Sequence, residues 1–580
     1  MILADALVQG LLGLGVRHVF GVSGANIEHL HDALHRTGGG RIEAVLAKTE
    51  SGAAFMADAQ ARVHGVLGVC CSTSGGGMMN LAVGIAESFQ ASVPVLAIVG
   101  QTPTTLDGRG AFQESTGIGR TVDALGLWRS IAKFAARVDD AAQFWALFRD
   151  GLVEALHGRP GPAVLLIPRD LFEHEVGDVP AWFPRSVDAL RSTTAVDALG
   201  FHGLVAALRR ARRPAHVVGP SAAAGGGLGS LRRFAELTQI PVFTTMEAVT
   251  AFPQEHPLFA GVIGSAGHPS AHAYLNEQAD AIVVVGSDLG AMVRGAVAPG
   301  LERARTILVH AEPDAAARAL PARLVVRGAG EAVFRKLLDV HRAEHFSWRS
   351  QLPELERFAA VLVDDGPDTG GLLQSEAIDA LDLYLPKHAH VVVDAGNCAA
   401  AALHGMTLSH VSSATIALGM GGMGYSVAAS VGSALLAGPG EQTVVICGDG
   451  AFLMLGLEVH TAVELGLPIL FVVFNNAAHG MCVTRQDLLF EGRHEAVRYT
   501  RPAIATTARG LGPDDRLWVG CASTRAEMDT LLAVYDAHGP VTGVLELVLE
   551  REELPPFAPF LTPDAPKVSA RHPSFASPAA

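Results

Sequence analysis

Three things are scarce in this chain, and each absence excludes something. Only six cysteines occur in 580 residues (Cys70, Cys71, Cys398, Cys447, Cys482 and Cys521). None has the paired spacing of a metal site, and most stand in apolar surroundings, so they are expected as reduced core residues of a cytosolic protein. Basic runs are missing as well. A formal charge of −15 with no basic cluster to offset it argues against nucleic acid as a partner. No unbroken apolar stretch reaches a membrane-spanning length. The N-terminus, Met1–Leu7, lacks a basic n-region and starts at once as an amphipathic helix. The expectation is a soluble, cytoplasmic protein with no membrane partner. What is abundant is apolar material: 49% of residues are hydrophobic and only 17% charged. That suffices for several large cores and a subunit interface, and the length suggests three or four domains.

The most informative stretch is Gly448-Asp449-Gly450 with the later pair Asn475-Asn476. Glu441–Cys447 turns into a short apolar run that reads as a buried parallel strand. Ala451–Val459 reads as a helix, and Leu467–Phe474 as a second buried strand. Strand, acidic turn, helix, strand and amide turn make a βαβ unit. Both polar turns fall at the carboxyl ends of neighbouring strands, where open α/β sheets bind ligands. Asp449 offers a charged oxygen and Asn476 a neutral one, which suits Mg²⁺ when phosphate oxygens complete its shell. The flanking glycines let backbone amides approach a diphosphate. Two ordinary turns are the plain alternative.

The rest of the chain alternates short apolar strands with helices, which implies doubly wound parallel sheets. Residues 1–180 give strands at Val16–Val22, Ile42–Ala47, Gly68–Ser72, Val93–Val99 and Ala163–Ile167. Glu50 opens a small-residue helix at the end of the second. Burial there would favour a shared proton; decoration of a helix N-terminus is the alternative. A linker is expected over 171–200. A second α/β domain spans 200–340, with strands at Ala215–Gly219, Pro241–Thr244, Ala281–Gly286 and Thr306–His310. Its glycine turns, Gly225–Gly227 and Gly261–Gly264, read as plain loops or phosphate cradles. Another linker holds Pro353 and Asp364–Pro367. A third α/β domain covers 370–550, with a strand at Val391–Val393 running into Asn397 and a glycine-rich turn at Gly419–Gly424. Residues 551–580, rich in proline, serine and alanine, read as a mobile or surface-wrapping tail.

These motifs, in this order, resemble those of the thiamine diphosphate-dependent 2-oxoacid decarboxylases and carboligases, nearest to the acetolactate synthase branch. The likeness extends over about 550 residues. Besides Gly448–Gly450 and Asn476, it rests on the Glu50 segment, Ser74–Leu81, Ser92–Val95 with Gly100-Gln101, and Gly158–Ala163 through Ile167–Asp170. It implies a fold of pyrimidine-binding, middle and diphosphate-binding domains. It also implies that Asp449, Asn476 and the Ala478 carbonyl hold the metal. Gly75, Asn80, Asn397, Gly421, Gly448, Gly450, Ala451, His479, Gly480 and Met481 would line the cofactor. Met423 would prop the cofactor in its bent form, and Glu50, from a partner subunit, would meet the pyrimidine. A homodimer or homotetramer with active sites at the subunit interface follows. FAD in the middle domain is allowed by the branch. However, the family's first arginine after Gly286 is missing and only Arg294 stands nearby, so a nucleotide-free domain fits as well.

For the reaction, the simple decarboxylases of this family carry paired histidines where this chain reads Gly110–Glu114. Phe112 would wall the substrate pocket and Gln113 would hydrogen-bond substrate or intermediate, unless both merely pack the loop. Where acetolactate synthases carry glutamine and tryptophan, this chain has His479 and Arg485. The first would serve as acid or base. The second would grip a carboxylate or phosphate in two-pronged fashion. A helix cap and a surface arginine are the alternatives. The function expected is a carboligase that decarboxylates pyruvate or a related 2-oxoacid and passes the acyl anion to a second carbonyl. The alternatives are a non-ligating decarboxylase or lyase, and a catalytically silent regulatory subunit.

Overall fold

The computed structural model describes residues 1–191, 195–223, 228–348, 352, 354–363 and 370–561. The turn Gly225–Gly227, Pro353, Asp364–Pro367 and the tail beyond 561 lie outside the described residues.

Among the described residues there are twenty strands. The first six are β1 (His18–Gly21), β2 (Glu43–Leu46), β3 (Gly68–Ser72), β4 (Val95–Gln101), β5 (Phe134–Arg137) and β6 (Ala163–Pro168). They form a parallel sheet in the order β2-β1-β3-β4-β6-β5. Next come β7 (Pro214–Val218), β8 (Val242–Thr245), β9 (Phe259–Ile263), β10 (Ala281–Val285), β11 (Arg305–His310) and β12 (Leu324–Arg327). Their order is β12-β11-β10-β7-β8-β9. A short strand, β13 (Val361–Leu362), precedes β14 (His390–Val393), β15 (Ser413–Ile416), β16 (Thr443–Gly448), β17 (Ile469–Asn475), β18 (Leu517–Ala522), β19 (Thr542–Val548) and β20 (Glu553–Leu554). The third large sheet runs β15-β14-β16-β17-β19-β18, while β13 pairs antiparallel with β20. The first and third sheets therefore share one connectivity. The middle sheet has the dinucleotide-fold order.

Strands β4 and β17 are buried along their whole length, as expected of central parallel strands covered on both faces. Gly261–Ile263 is not a turn but part of β9. A Cβ on Gly261 would meet the Ala271 side chain at 3.0 Å, so close packing is what glycine serves there. The single helix expected over Ala451–Val459 is two helices, Asp449–Leu455 and Glu458–Glu464, broken at Gly456-Leu457.

The chain divides into two compact units. One comprises the described part of 1–194 with 415–443 and 455–469; the other comprises the described parts of 195–414 and 470–580 with 444–454. In the first unit the Glu50–His64 helix lies between the Gly76–Ala91 and Tyr425–Ala434 helices. Its small-residue sequence follows from that place. A Cβ on Gly84 would meet the Ala54 Cβ at 2.4 Å, and one on Gly432 would meet the Met56 carbonyl oxygen at 2.0 Å. In the second unit, three buried histidines join β9 and its following loop to the Asn397–Gly405 helix. His268 Nδ1 accepts from the Val262 N–H at 2.9 Å, and His404 Nε2 accepts from the Phe358 N–H at 2.8 Å. The Gly264 N–H points to His272 Nε2 at 3.4 Å.

Burial, aided by the nearby Arg357 charge at His268 and His404, lowers the three to about 3 (His268), about 4 (His272) and about 4 (His404). The unfolded chain therefore binds more protons than the folded one from about pH 6.5 downward. Stability from these rings is complete above that pH and is lost on acidification towards pH 4. Melting temperatures measured between pH 7.5 and 5 should fall, and fall less in His404→Gln; equal falls in both proteins would refute this.

Candidate functional site

In the first unit, β2 delivers Lys48 and Thr49 to the start of the Glu50 helix. Thr49 caps it, its hydroxyl accepting from the Gly52 N–H at 2.9 Å. A buried carboxylate, Glu458, sits beneath. Its Oε1 accepts from the Lys48 N–H at 3.0 Å and the Thr49 N–H at 3.1 Å, and its Oε2 from the Thr461 hydroxyl at 2.8 Å. Gly52 leaves room for it: a Cβ there would lie 2.2 Å from Glu458 Oε1. Glu50 is half-buried. The Asn80 amide donates to its Oε2 at 3.0 Å, and a Cβ on Gly77 would lie 2.7 Å from its Oε1.

The start of the neighbouring Gly76–Ala91 helix receives Gln113. Gly75 has φ +67°, and a Cβ on it would lie 2.9 Å from the Gln113 Cβ. Gln113 is itself left-handed, at φ +64°, a conformation that a non-glycine residue holds only when its surroundings enforce it. Glu114 does so. Its carboxylate accepts from the N–H groups of Gly108, Gly110 and Ala111 and from the Thr116 hydroxyl. The hydroxyl of Thr116 and the Gly108 N–H hold the Glu114 carboxyl below its ordinary range. Phe112 is 86% exposed, so it does not pack the loop. Glu50, Gly75, Asn80 and Gln113 thus come together. Gly421 and half-buried Met423 lie on the turn before the Tyr425–Ala434 helix, and Gly422 rests on the Phe55 ring.

In the second unit, Asn397 follows β14 and Asp449 follows β16, neighbouring strands at the point where the order reverses. Asp449 is 1% exposed. Its Oδ1 accepts from the Gly450 N–H at 2.9 Å and its Oδ2 from the Ala477 N–H at 2.8 Å, which ties the acidic turn to the amide turn. Burial raises its carboxyl above the ordinary value, against these hydrogen bonds. The two asparagines divide their work. Asn475 is structural: its amide donates to Pro502 O at 2.8 Å and to buried Glu546 at 2.5 Å. Asn476 faces Gly480 and Asn397, since a Cβ on Gly480 would lie 2.9 Å and 2.8 Å from their amide nitrogens.

His479 begins the Gly480–Phe490 helix but its side chain caps nothing. Its ring lies against Gly450, where a Cβ would come within 2.7 Å of Nδ1, and packs edge-on to Tyr499 at 5.5 Å. The sequence reading missed Tyr499, which no motif marks. Its phenol is pushed up by burial and by the Asp449 charge. Asn397 Oδ1 and His479 Nδ1 are buried without hydrogen-bond partners among the described residues, while the Tyr499 hydroxyl is directed at the Asp449 carboxylate. Gly396 faces free space at the same strand ends, and a Cβ on Gly448 would touch only the Phe474 carbonyl oxygen, at 4.0 Å. Room beside the Asn397 and Asn476 amide nitrogens and beside His479 Nδ1, all able to donate, suits a bound diphosphate. One carboxylate, one amide and one carbonyl (Asp449, Asn476, Ala478) suit Mg²⁺ with phosphate oxygens added. Among the described residues, no three His, Cys, Asp or Glu side chains form a metal cluster. Arg485 is exposed and donates to Cys482 Sγ at 3.2 Å. No helix among the described residues is long and apolar enough to cross a membrane.

Comparison with known proteins agrees with this arrangement. Residues 1–119 match the N-terminal TPP binding domain of thiamine pyrophosphate enzymes, 202–337 the central domain and 394–542 the C-terminal TPP binding domain. The acetolactate synthase large subunit of Corynebacterium glutamicum is 30% identical over 528 residues, 88% of this chain and 81% of that protein. The isozyme 2 large subunit of Escherichia coli is 28% identical over 543 residues, 93% and 94% respectively. The probable acetolactate synthase large subunit of Methanocaldococcus jannaschii is 29% identical over 504 residues, 85% and 83%. Three six-stranded sheets, a tied acidic and amide turn, and similarity along most of the chain lead to one conclusion: the chain belongs to the thiamine pyrophosphate enzymes, among the relatives of the acetolactate synthase large subunits.

Proposed function

We propose that this chain is a Mg²⁺-dependent carboligase that decarboxylates pyruvate or a related 2-oxoacid and transfers the acyl unit to a second carbonyl compound. The observation that carries this reading is the set of unpartnered buried atoms around Gly450 and Gly480, beside the one tied carboxylate, Asp449. Thiamine diphosphate, when bound, supplies the nucleophilic carbon and the electron sink for decarboxylation. Everything else falls to the chain. Asp449, Asn476 and the Ala478 carbonyl hold the metal. Asn397, His479 and the Gly480 and Met481 backbone receive the phosphates, with Gly448, Gly450 and Ala451 permitting close approach. Met423 gives apolar support, next to Gly421.

Glu50 holds and releases a proton at its carboxylate, and Asn80 fixes that group's direction. Gln113, on its constrained loop, offers an amide to the reacting oxygen, and Phe112 closes the pocket over it. No histidine stands in that loop to supply an early proton, which favours ligation over release. The Glu50 half and the Asp449 half are contributed by different copies, in a dimer or tetramer. Support comes from the apolar side chains Met79 (48% exposed) and Val83 (39%) on the helix that carries Asn80. The middle domain is read as free of FAD. Its strand-end glycines serve close chain contact: a Cβ on Gly286 would lie 2.1 Å from the Ala222 nitrogen, and one on Gly219 2.9 Å from the Gly286 carbonyl oxygen. A visible spectrum of the purified protein tests that point. The cytoplasm is the expected compartment.

The test of the reaction is CO₂ release from pyruvate with and without added aldehyde or 2-oxoacid acceptors, followed by product analysis. Ligated product supports the reading. Release without ligation makes the protein a plain decarboxylase, and no release from any 2-oxoacid removes the proposal. Arg485 is read as the grip on an acceptor carboxylate. Arg485→Ala should raise KM for carboxylated acceptors by about 10- to 100-fold, the worth of a charge-assisted pair, and leave neutral aldehydes unaffected. Equal effects on both acceptor classes would exclude that role.

A further inference from the structure

A buried charge cluster in the first unit has no part in the function proposed above. Asp58 and Glu87 are fully buried, and Tyr425 is 1% exposed. Arg62 lies 2.9 Å from Asp58 Oδ1 and 3.4 Å from Glu87 Oε1, and donates to the Ile416 carbonyl at 3.3 Å. Asp58 is further satisfied by the Tyr425 hydroxyl at 2.7 Å and the Ser88 hydroxyl at 2.9 Å. Glu87 has a different set of partners. Its Oε1 accepts from the Gly419 N–H at 3.3 Å and its Oε2 from the Met420 N–H at 2.6 Å.

Two carboxylates against one guanidinium leave a buried negative charge, and burying an ion costs several kcal/mol unless hydrogen bonds replace its water. The backbone of the glycine turn supplies those bonds. The sequence is fitted to this contact, because a Cβ on Gly419 would lie 3.1 Å from both Glu87 oxygens and 2.7 Å from the Gln90 Cβ. Beyond Met420 the turn passes through Gly421 (φ +65°) and Gly424 (φ +83°), so its path is set by its anchors and not by stiff residues. Met423 stands between those two glycines.

We propose that Glu87 is a positioning residue: by holding the Gly419 and Met420 amides it sets the height of Met423, and Arg62 in turn fixes Glu87. The inference rests on the reading of Met423 as apolar support for thiamine diphosphate. Its test is the affinity for thiamine diphosphate at saturating Mg²⁺, read by quenching of intrinsic fluorescence. The proteins compared are wild type, Glu87→Gln, Glu87→Asp, Met423→Ala and the Glu87→Gln/Met423→Ala pair. Glu87→Gln and Glu87→Asp should each weaken binding about ten-fold. The second keeps the charge beside Arg62 and withdraws only the reach to the turn, and it serves alone if the first does not fold. On the Met423→Ala background, Glu87→Gln should add almost nothing, as expected when one residue acts through the other. Full additivity would overturn the proposal, as would wild-type affinity in Glu87→Asp. If Met423→Ala itself binds like wild type, the reading of Met423 fails, and the proposal with it. If Met423→Ala weakens binding but the Glu87 variants do not, only the proposal fails.

Discussion

Glu50→Gln should lower turnover by about 10²- to 10⁴-fold, the usual worth of a positioned proton donor or acceptor, while thiamine diphosphate still binds within a few-fold of wild type. The amide has nearly the shape of the carboxylate, and its oxygen can still accept from Asn80 Nδ2, which now lies 3.0 Å from Glu50 Oε2. Gly77 keeps its place under the side chain. The elements that seat the helix start do not depend on the substituted group. Thr49 caps through Gly52, and Glu458 holds the Lys48 and Thr49 amides. What glutamine lacks is an ionisable proton. The loss should therefore appear in kcat and scarcely in cofactor affinity or melting temperature, all measured on one preparation. Turnover within a few-fold of wild type would remove Glu50 from proton handling. Asn80→Ala should have a smaller effect in the same direction, since it frees the carboxylate to turn without removing it.

The parts of this molecule that could be read from sequence are those governed by local rules. Asp449 and Asn476 each end an unbroken apolar run, and Glu50 opens a helix after one, so strand ends and turns fell within a few residues of their observed places. The central strands were visible for the same reason. Several of the strands that escaped notice lack that signature. All four residues of β5 are only partly buried, and β12 and β15 are half-exposed. Strand β19 is buried, but Glu546 interrupts its apolar run, and nothing local reveals that this carboxylate is paired with Asn475.

The same blindness applies to the site. Glu87 and Glu458 look like solvated helix residues in sequence; their burial is set by segments more than 300 positions away. Tyr499 lies in an irregular stretch with no periodicity, and only the fold brings it to Asp449 and His479. Glycines gave a mixed signal. Gly75 and Gly421 do take left-handed conformations, whereas Gly52 and Gly432 are needed because another chain segment passes too close for a Cβ.

Gly52 and Glu458 provide the sharper stability experiment, because the two residues should reverse each other's effect. Glu458→Ala leaves the Lys48 and Thr49 N–H groups and the Thr461 hydroxyl without their acceptor in a buried place. An unsatisfied buried donor costs about 1–3 kcal/mol, so the variant should lose roughly 3 kcal/mol or more and melt several degrees lower. Gly52→Ala should be comparably harmful in the wild-type background. Its methyl would sit 2.2 Å from Glu458 Oε1 and 2.9 Å from the Cδ, and the carboxylate cannot withdraw without releasing the same donors. In the Glu458→Ala background that clash is gone. There the substitution places alanine in a helix and partly fills the vacated space, with only the Thr49 hydroxyl at 3.1 Å still close. Alanine is worth up to about 1 kcal/mol over glycine in a helix. The expected double-mutant cycle is therefore strongly non-additive, with Gly52→Ala destabilising when Glu458 is present and neutral or stabilising when it is absent. Additive losses in melting temperature would mean that the carboxylate relaxes freely around the methyl. The seat of the Glu50 helix would then not depend on Glu458.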